Sequence, residues 1–456
     1  MEGTDRQEDS GAGVSRRSGT KQASEIRARW AWTEPAVWTD RMLSALEAGV
    51  KGGVWFSLID KVYNPSNLAA AAKKVIANKG GAGVDHVTVQ QYGRYQERYL
   101  GRLREALRGN AWQPKAIKRR YIPKPGSAEK RPLGIPCVED RVVQTALRNA
   151  IEPIFEKEFH ENSFGFRPGR GCKDALRAVD QDLQAGAVYV ADADLRKFFD
   201  SIPHGILMER VEERVADSRV LALITLFLKQ NVMEEAGQWT PEEGTPQGAV
   251  ISPLLANVFL NPLDHFMAGK GHRMFRYADD SVILCRSKAD AQSALTLMRQ
   301  WCEEHGLTLH PEKTRIADLN QVGEGFDFLG YRFQRTRHNG IKRWAGKKAQ
   351  KRLRERLRPL TRRTHGHSLQ GAIAALNPIL RGWFGYFKHS NVYTMQEVDR
   401  WVRGRLRSIL RKRHKGKGKG RGWDHFRWPN RYFAELGLYS LEQARADARQ
   451  SFRCNH

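Results

Sequence analysis

The sequence predicts an α+β fold with an antiparallel sheet, followed by a helical, strongly basic domain. Three observations predict it. An apolar run of strand length, VYVADADL (188–195), carries aspartates near its end, and RMFRYADDSVILC (273–285) holds two side by side inside an apolar run. Between them, runs with helical spacing alternate with Gly- and Pro-marked turns. After Gln334 the composition changes: residues 335–421 hold 26 Lys plus Arg against three acids. In that stretch Leu353, Leu357 and Leu360, then Val398, Val402, Leu406 and Ile409, recur at helical spacing.

Taken in order, residues 1–50 read as a flexible tail, with ordered structure expected to begin near Trp55. Residues 51–115 form an N-terminal unit. It has an Ala-rich helix at 67–78, the glycine-rich loop NKGGAGVDHVT, and a helix over 90–109 with Tyr95, Tyr99, Leu103 and Leu107 on one face. Within 116–187, IKRRYIPKPGSAEKRPLGIP predicts a hairpin whose turn holds Pro125, Gly126 and Ser127. Residues 188–335 contain the strand 188–195, two strands around a tight turn at Asp279 and Asp280, and the strand or strand pair FDFLGYRF. Here too GTPQGAVISPLLANVFLNPLD predicts a turn followed by a helix, in which either Gly248 lets a substrate approach the backbone closely or Thr245 simply caps an ordinary helix N-terminus. Residues 336–413 are the basic helical domain, and 414–456 a basic linker, HKGKGKGRG, with a short aromatic-containing end.

The chain has 456 residues, a net charge of +27, a pI near 10.1 and a 40% hydrophobic fraction. That fraction supports real cores, and a charge so basic points to a polyanionic partner, most often nucleic acid. The longest apolar run, VLALITLFL, falls short of the roughly 18 residues of a membrane span, so no membrane partner is expected. The polar start lacks the apolar core of a signal peptide. Five cysteines without paired spacing fit a reducing cytoplasm and argue against a zinc or disulfide framework.

The aspartates carry the chemistry. Strand alternation puts Asp192 and Asp194 on one side, near the strand end, with Asp200 following. A carboxylate at the end of a buried strand needs a counter-charge, and the adjacent Asp279 and Asp280 need one too. If the two strands neighbour each other, Asp194 and Asp279 converge on a space suited to cations. Hard oxygen donors favour Mg²⁺, and two such ions about 3.5–4 Å apart serve in-line phosphoryl transfer. An isolated Asp-Asp turn is usually only a solvated hairpin, so the combination decides. Lys124 and Arg131 flank the hairpin turn, where they could hold a triphosphate, or be ordinary solvated charges. Lys313 in GLTLHPEKTRI could support the aspartates electrostatically.

In order, RPLGIPCVEDRVVQ, NSFGFRPGRGC, DADLRKFFDSIPH, GTPQGAVISPLLANVFL, RYADD, GLTLHPEKT and FDFLGYRF resemble the reverse-transcriptase motif set of bacterial group II intron-encoded proteins. LNPILRGWFGYF and WVRGRLRSILRKR resemble the thumb, or maturase, domain of the same family. The resemblance implies a right-hand polymerase of fingers (116–187), palm (188–335) and thumb (336–413), making DNA on an RNA template with Mg²⁺ and deoxynucleoside triphosphates. It places Asp194, Asp279 and Asp280 at the catalytic positions, with the Leu195 backbone carbonyl as a further metal ligand. Asp194 and Asp279 should ligate most directly. It places Phe199 beneath the sugar, where its bulk would exclude a 2′-hydroxyl. Gln247 falls near the nascent base pair, and Lys124, Arg131 and Lys313 near the nucleotide. One of Phe198 and Phe199 must be core.

The family also binds its own intron RNA to promote splicing and mobility, a binding task for the ribozyme's benefit. That implies intron RNA, template RNA, DNA primer and target DNA as partners, in a bacterial cytoplasm with nucleoid association during mobility. Arg352, Arg356, Arg405, Arg411 and Lys412 are the expected RNA contacts. Trp383, Phe384, Tyr386 and Phe387 could stack on bases, though helical clustering favours core. Only 34 residues follow the linker, and RCNH lacks partner cysteines, so the chain resembles the compact subclass without an endonuclease domain. Two other functions share this pattern: a splicing factor with a silent polymerase, and an intron-like enzyme domesticated for repair or phage defence. The intact aspartates argue against the first, and flanking DNA discriminates the second.

Overall fold

The computed structural model describes residues 24–454 except 124–129, 235–236, 339 and 365. Eleven strands among them form three sheets. The first contains β1 (Ile117–Pro123), β2 (Lys130–Ile135), β4 (Val232–Glu234) and β5 (Gly237–Trp239), in the order β2-β1-β4-β5. The second contains β3 (Tyr189–Asp194), β6 (Arg273–Tyr277), β7 (Asp280–Cys285) and β8 (Arg315–Asp318), in the order β6-β7-β3-β8. The third is the antiparallel meander of β9 (Gly325–Phe328), β10 (Tyr331–Arg335) and β11 (Ile341–Ala345).

The second sheet holds the aspartates, and its sequence shows why it is central. Ala191, Ala193, Met274 and Ile283 face a core shared with the Val138–Glu156, Ser252–Gly269 and Lys288–Glu304 helices. The alternate residues Val190, Phe275, Val282 and Leu284 face a second core shared with the Cys172–Gln184 helix, the β9–β11 meander and the C-terminal helices. Both faces are covered, so the strands read as nearly continuous apolar runs. A strand caught between two cores ends where its side chains turn polar, and in β3 that is Asp192 and Asp194.

Several expectations need correction. The tail does not extend to residue 50. Thr39 caps an Asp40–Ala48 helix that buries Leu43 and Leu46, and fully buried Trp38 donates its indole N–H to the Asn149 carbonyl at 2.9 Å. Trp30 and Trp38, both buried, outweigh the polar composition around them. The 90–109 helix is two helices, Val89–Arg94 and Gln96–Arg108, broken at Tyr95. Leu103 and Leu107 are buried as expected, but Tyr95 is exposed and Tyr99 stacks on Tyr92 at 4.7 Å. Thr245 caps no helix, because the helix begins at Ser252; its backbone N–H instead donates to the Phe199 carbonyl at 2.6 Å. The hairpin forms as β1 and β2, while its turn and Lys124 lie outside the described residues.

The basic C-terminal domain is helical: Lys347–Leu360, Leu369–Phe387 and Val392–Arg413. Leu353, Leu357, Val398, Val402, Leu406 and Ile409 are buried together there. The end of the chain joins this core, since Trp428, Phe433 and Leu441 pack into it and Asp399 accepts backbone N–H bonds from Leu441 and Glu442. Phe384 and Phe387 are core residues, and the Tyr386 hydroxyl donates to the Leu329 carbonyl at 2.7 Å.

Candidate active site

β3 and β7 are antiparallel neighbours, with Asp194 directly opposite Asp280. β6 and β7 join through a two-residue turn, Ala278 and Asp279, closed by the Tyr277–Asp280 pair. The turn places Asp279 at the strand end beside Asp194. Ala278 has φ +60°, a left-handed conformation that costs an L-residue about 1–2 kcal/mol, so the surroundings must hold it.

They do so from two sides. Arg276, 1% exposed, donates through Nη1 to the Ala278 carbonyl and to Asn257 Oδ1, each at 3.0 Å. Its Nε and Nη2 form a fork onto buried Asp264 at 2.8 and 2.5 Å. On the other side Gly165 presses against the turn: a Cβ there would lie 2.2 Å from the Ala278 nitrogen. Asn257 Nδ2 donates to the Gly165 carbonyl at 2.8 Å, tying both supports to one helix. Arg276, Asn257 and Asp264 are therefore positioning residues that motif reading did not single out. The available signal was an arginine inside an apolar strand, which can stay charged in a core only with a partner.

The carboxylates lack enough counter-charge of their own. Burial pushes Asp280 up to about 7, with the charges of Asp192, Asp279 and Asp194 adding. Burial likewise takes Asp192 to about 6, and raises Asp279 with Asp194's charge adding and Arg131 and Lys313 opposing. Lys313 Nζ contacts Asp194 Oδ2 at 2.6 Å. An all-oxygen donor set that is costly to ionise alone fits a hard divalent cation.

A cavity of about 1430 Å³ opens between these aspartates and the β1–β2 hairpin. Asp194, Leu195 and Asp279 line its floor, and Arg131, Gln247, Phe199 and Lys313 line it as well. Asp280 is half-buried and set back toward Asp192. Phe198, 2% exposed, is the core member of its pair, while half-buried Phe199 meets it edge-on at 5.4 Å. Gly248 has φ +112°, and a Cβ there would lie 2.3 Å from the Gly134 carbonyl oxygen. Its close neighbour is the chain's own β2, and Gly248 also lines the cavity. Sequence reasoning missed Phe166, a wall residue at φ +61° whose ring meets Phe199 at 6.4 Å. It also missed Arg119, stacked 4.7 Å over Trp239 at the rim. FGFRPGR marked the first region, but nothing in the sequence brings Arg119 to Trp239.

The expected RNA contacts divide. Arg352, Arg356 and Lys412 are exposed. Arg405 is committed to Thr361 through Nε and Nη2, and Arg411 to Asp424 and the Lys417 carbonyl. Those two perform structural work within the domain.

Residues 122–333 match the family model for reverse transcriptase (RNA-dependent DNA polymerase), and residues 350–428 match the group II intron maturase-specific domain. The fold and site therefore define an RNA-directed DNA polymerase joined to a maturase domain, and the chain belongs to the group II intron-encoded reverse transcriptases. It is 32% identical to Protein YkfC of Escherichia coli over 351 residues, covering 68% of this chain and 87% of that one. It is 32% identical to the group II intron-encoded protein LtrA of Lactococcus lactis over 214 residues, 47% of this chain and 35% of that one. The α+β right-hand architecture is that of a reverse transcriptase, and the maturase domain makes RNA a binding partner. Polymerases of this class use divalent metal ions. Among the described residues no helix is long and apolar enough to cross a membrane.

Proposed function

We propose that Asp194 and Asp279 hold Mg²⁺ directly, with the Leu195 carbonyl, and that Asp280 supports them from behind. The single observation that supports this is the β3–β7 register, which sets Asp194 against Asp280 with Asp279 in the adjoining turn. When bound, the ions neutralise the carboxylates, activate the primer's terminal oxygen and stabilise the departing one. The protein's own part is positional. Arg131 and Lys313 face the nucleotide's phosphates. Phe199 offers a flat ring to the sugar and no room for a 2′-hydroxyl, and Gln247 contacts the nascent pair from the cavity wall.

Template RNA and DNA primer would enter the cavity between hairpin and sheet. The flanking intron RNA would lie on the basic helical domain, through Arg352, Arg356 and Lys412, to promote splicing and mobility into target DNA in a bacterial cytoplasm. Phosphate contacts of this kind give tight but salt-dependent binding. The deciding experiment is primer extension on an RNA template with Mg²⁺, together with splicing of the flanking intron RNA. Asp279→Ala should abolish DNA synthesis and leave splicing intact. Undiminished DNA synthesis by Asp279→Ala would end the metal assignment, and flanking DNA without an intron RNA fold would favour the domesticated alternative.

A further inference from the structure

Among the described residues, Trp423 and Phe426 are the most exposed large apolar side chains, at 79% and 78%. They stand together on the short Gly422–Arg427 helix, three positions apart, with ring centroids 5.8 Å from each other. Such rings normally enter a core or an interface, because each forfeits a large burial gain when left in water.

Their exposure is built in. The opposite face of the same helix is fastened to the domain. The Asp424 carboxylate accepts from the Arg421 backbone N–H and from Arg411 Nη1, each at 2.7 Å. Trp428, four residues on, is buried, and its carbonyl accepts from Arg407 Nε at 2.9 Å. A Cβ at Gly420 would lie 2.9 Å from Arg407 Cβ, so the chain enters the helix flush against its support. With Asp424 and Trp428 turned inward, the i, i+3 pair Trp423 and Phe426 faces away from the domain.

The surroundings say what covers the rings. Residues 411–427 carry eight Lys or Arg against one acid, and that acid is the inward-facing Asp424. Apolar rings in a field of cations do not suit a basic or neutral protein surface. They suit a polyanion with flat faces. Unpaired RNA bases supply the faces and their phosphates the charge. The last residues matching the maturase-specific domain include this helix.

We infer that Trp423 and Phe426 form a stacking platform for unpaired bases of an RNA loop or bulge, while the surrounding lysines and arginines hold the flanking phosphates. The inference rests on the RNA-binding reading of the maturase domain and assigns it a specific contact. Duplex RNA hides its base faces, so the platform distinguishes looped from paired RNA.

The test uses the full chain and a stem-loop RNA with 2-aminopurine in its loop, without primer or nucleotide. Wild type should change the fluorescence of the loop base. Trp423→Ala/Phe426→Ala should lose that change and bind at least about tenfold more weakly, with the slope of affinity against salt unaltered because no charge is removed. Trp423→Phe/Phe426→Tyr should retain binding, and a fully paired RNA of equal length should not distinguish the proteins. Equal binding of the loop RNA by wild type and the double alanine variant overturns the platform while leaving the maturase reading in place. Wild type that binds neither RNA overturns both. A DNA stem-loop bound as well, and with the same loss in the variant, overturns the commitment to RNA. A change from dimer to monomer in the variant, with RNA binding intact, shows that the rings pair copies of the chain and likewise overturns the proposal.

Discussion

Lys313 Nζ lies 2.6 Å from Asp194 Oδ2, across 119 positions of sequence. A lysine touching one carboxylate at the cavity floor is a single positive charge where the chemistry calls for divalent ions. If Asp194 holds metal as proposed, Lys313 would compete with the ion there while helping to hold the nucleotide. Lys313→Ala should lower the Mg²⁺ concentration for half-maximal primer extension and raise KM for the deoxynucleotide several-fold. An unchanged Mg²⁺ midpoint would show that the contact has no part in metal loading.

The brace under the turn should be a stability determinant as well as a catalytic one. Removing Arg276 strands buried Asp264, which costs about 3–5 kcal/mol for a buried pair broken on one side. Arg276→Met should lose that much in urea denaturation. Arg276→Lys should not restore polymerase activity, because an ammonium cannot reproduce the fork to Asp264 together with the bond to Ala278. The double variant Arg276→Met/Asp264→Leu should recover most of the stability and none of the activity. If its activity returned, the bond to the Ala278 carbonyl would be dispensable.

Phe198 and Phe199 should separate packing from selectivity. Phe198→Ala opens a core cavity and should destabilise by about 3–5 kcal/mol. Phe199→Ala should cost little stability and raise ribonucleotide incorporation about tenfold or more, a discrimination of the size a single steric contact supplies. Competition between deoxy- and ribonucleoside triphosphates in primer extension reads this directly. Unchanged discrimination would remove Phe199 from sugar selection.

Asp140 predicts a pH dependence away from the site. It is 1% exposed, accepts from Gln230 Nε2 at 3.0 Å, and burial pushes it up to about 7 from 3.8. Between those values the folded chain keeps a proton that the unfolded chain has released. Stability therefore falls as pH rises through this window, and the loss is complete above about 7. The size is on the order of a few kcal/mol. Asp140→Asn should flatten this part of the profile and be the more stable protein at pH 8. A parallel profile for the two proteins would show that Asp140 is charged in the fold.

Metal should stabilise the folded chain if the aspartates bind it only when assembled. Adding Mg²⁺ should raise Tm in wild type and not in Asp194→Ala/Asp279→Ala. The effect should weaken below about pH 7, as Asp280 takes up a proton. A Tm insensitive to Mg²⁺ at every pH would argue against a preformed site.

The local pattern alone determined the strand that ends in aspartate, a tight turn at the paired aspartates, the buried stripe of the basic helices and the family, while the structure moved the turn one residue back, to Ala278 and Asp279. Each depends on neighbours within a few positions: alternation, turn chemistry and helical spacing act on contiguous residues, and the motifs are contiguous as well. Only the tertiary structure decided which cations are free, which ring of Phe198 and Phe199 is core, and what supports the turn. Arg276 is placed by Asp264 and Ala278, Gly248 by Gly134, and Arg405 by Thr361. The N-terminal residues show the same limit, since a polar composition did not reveal that Trp38 docks on the carbonyl of Asn149, 111 positions away. Burial and counter-charge are properties of the space around a side chain, and that space is filled from distant parts of the chain.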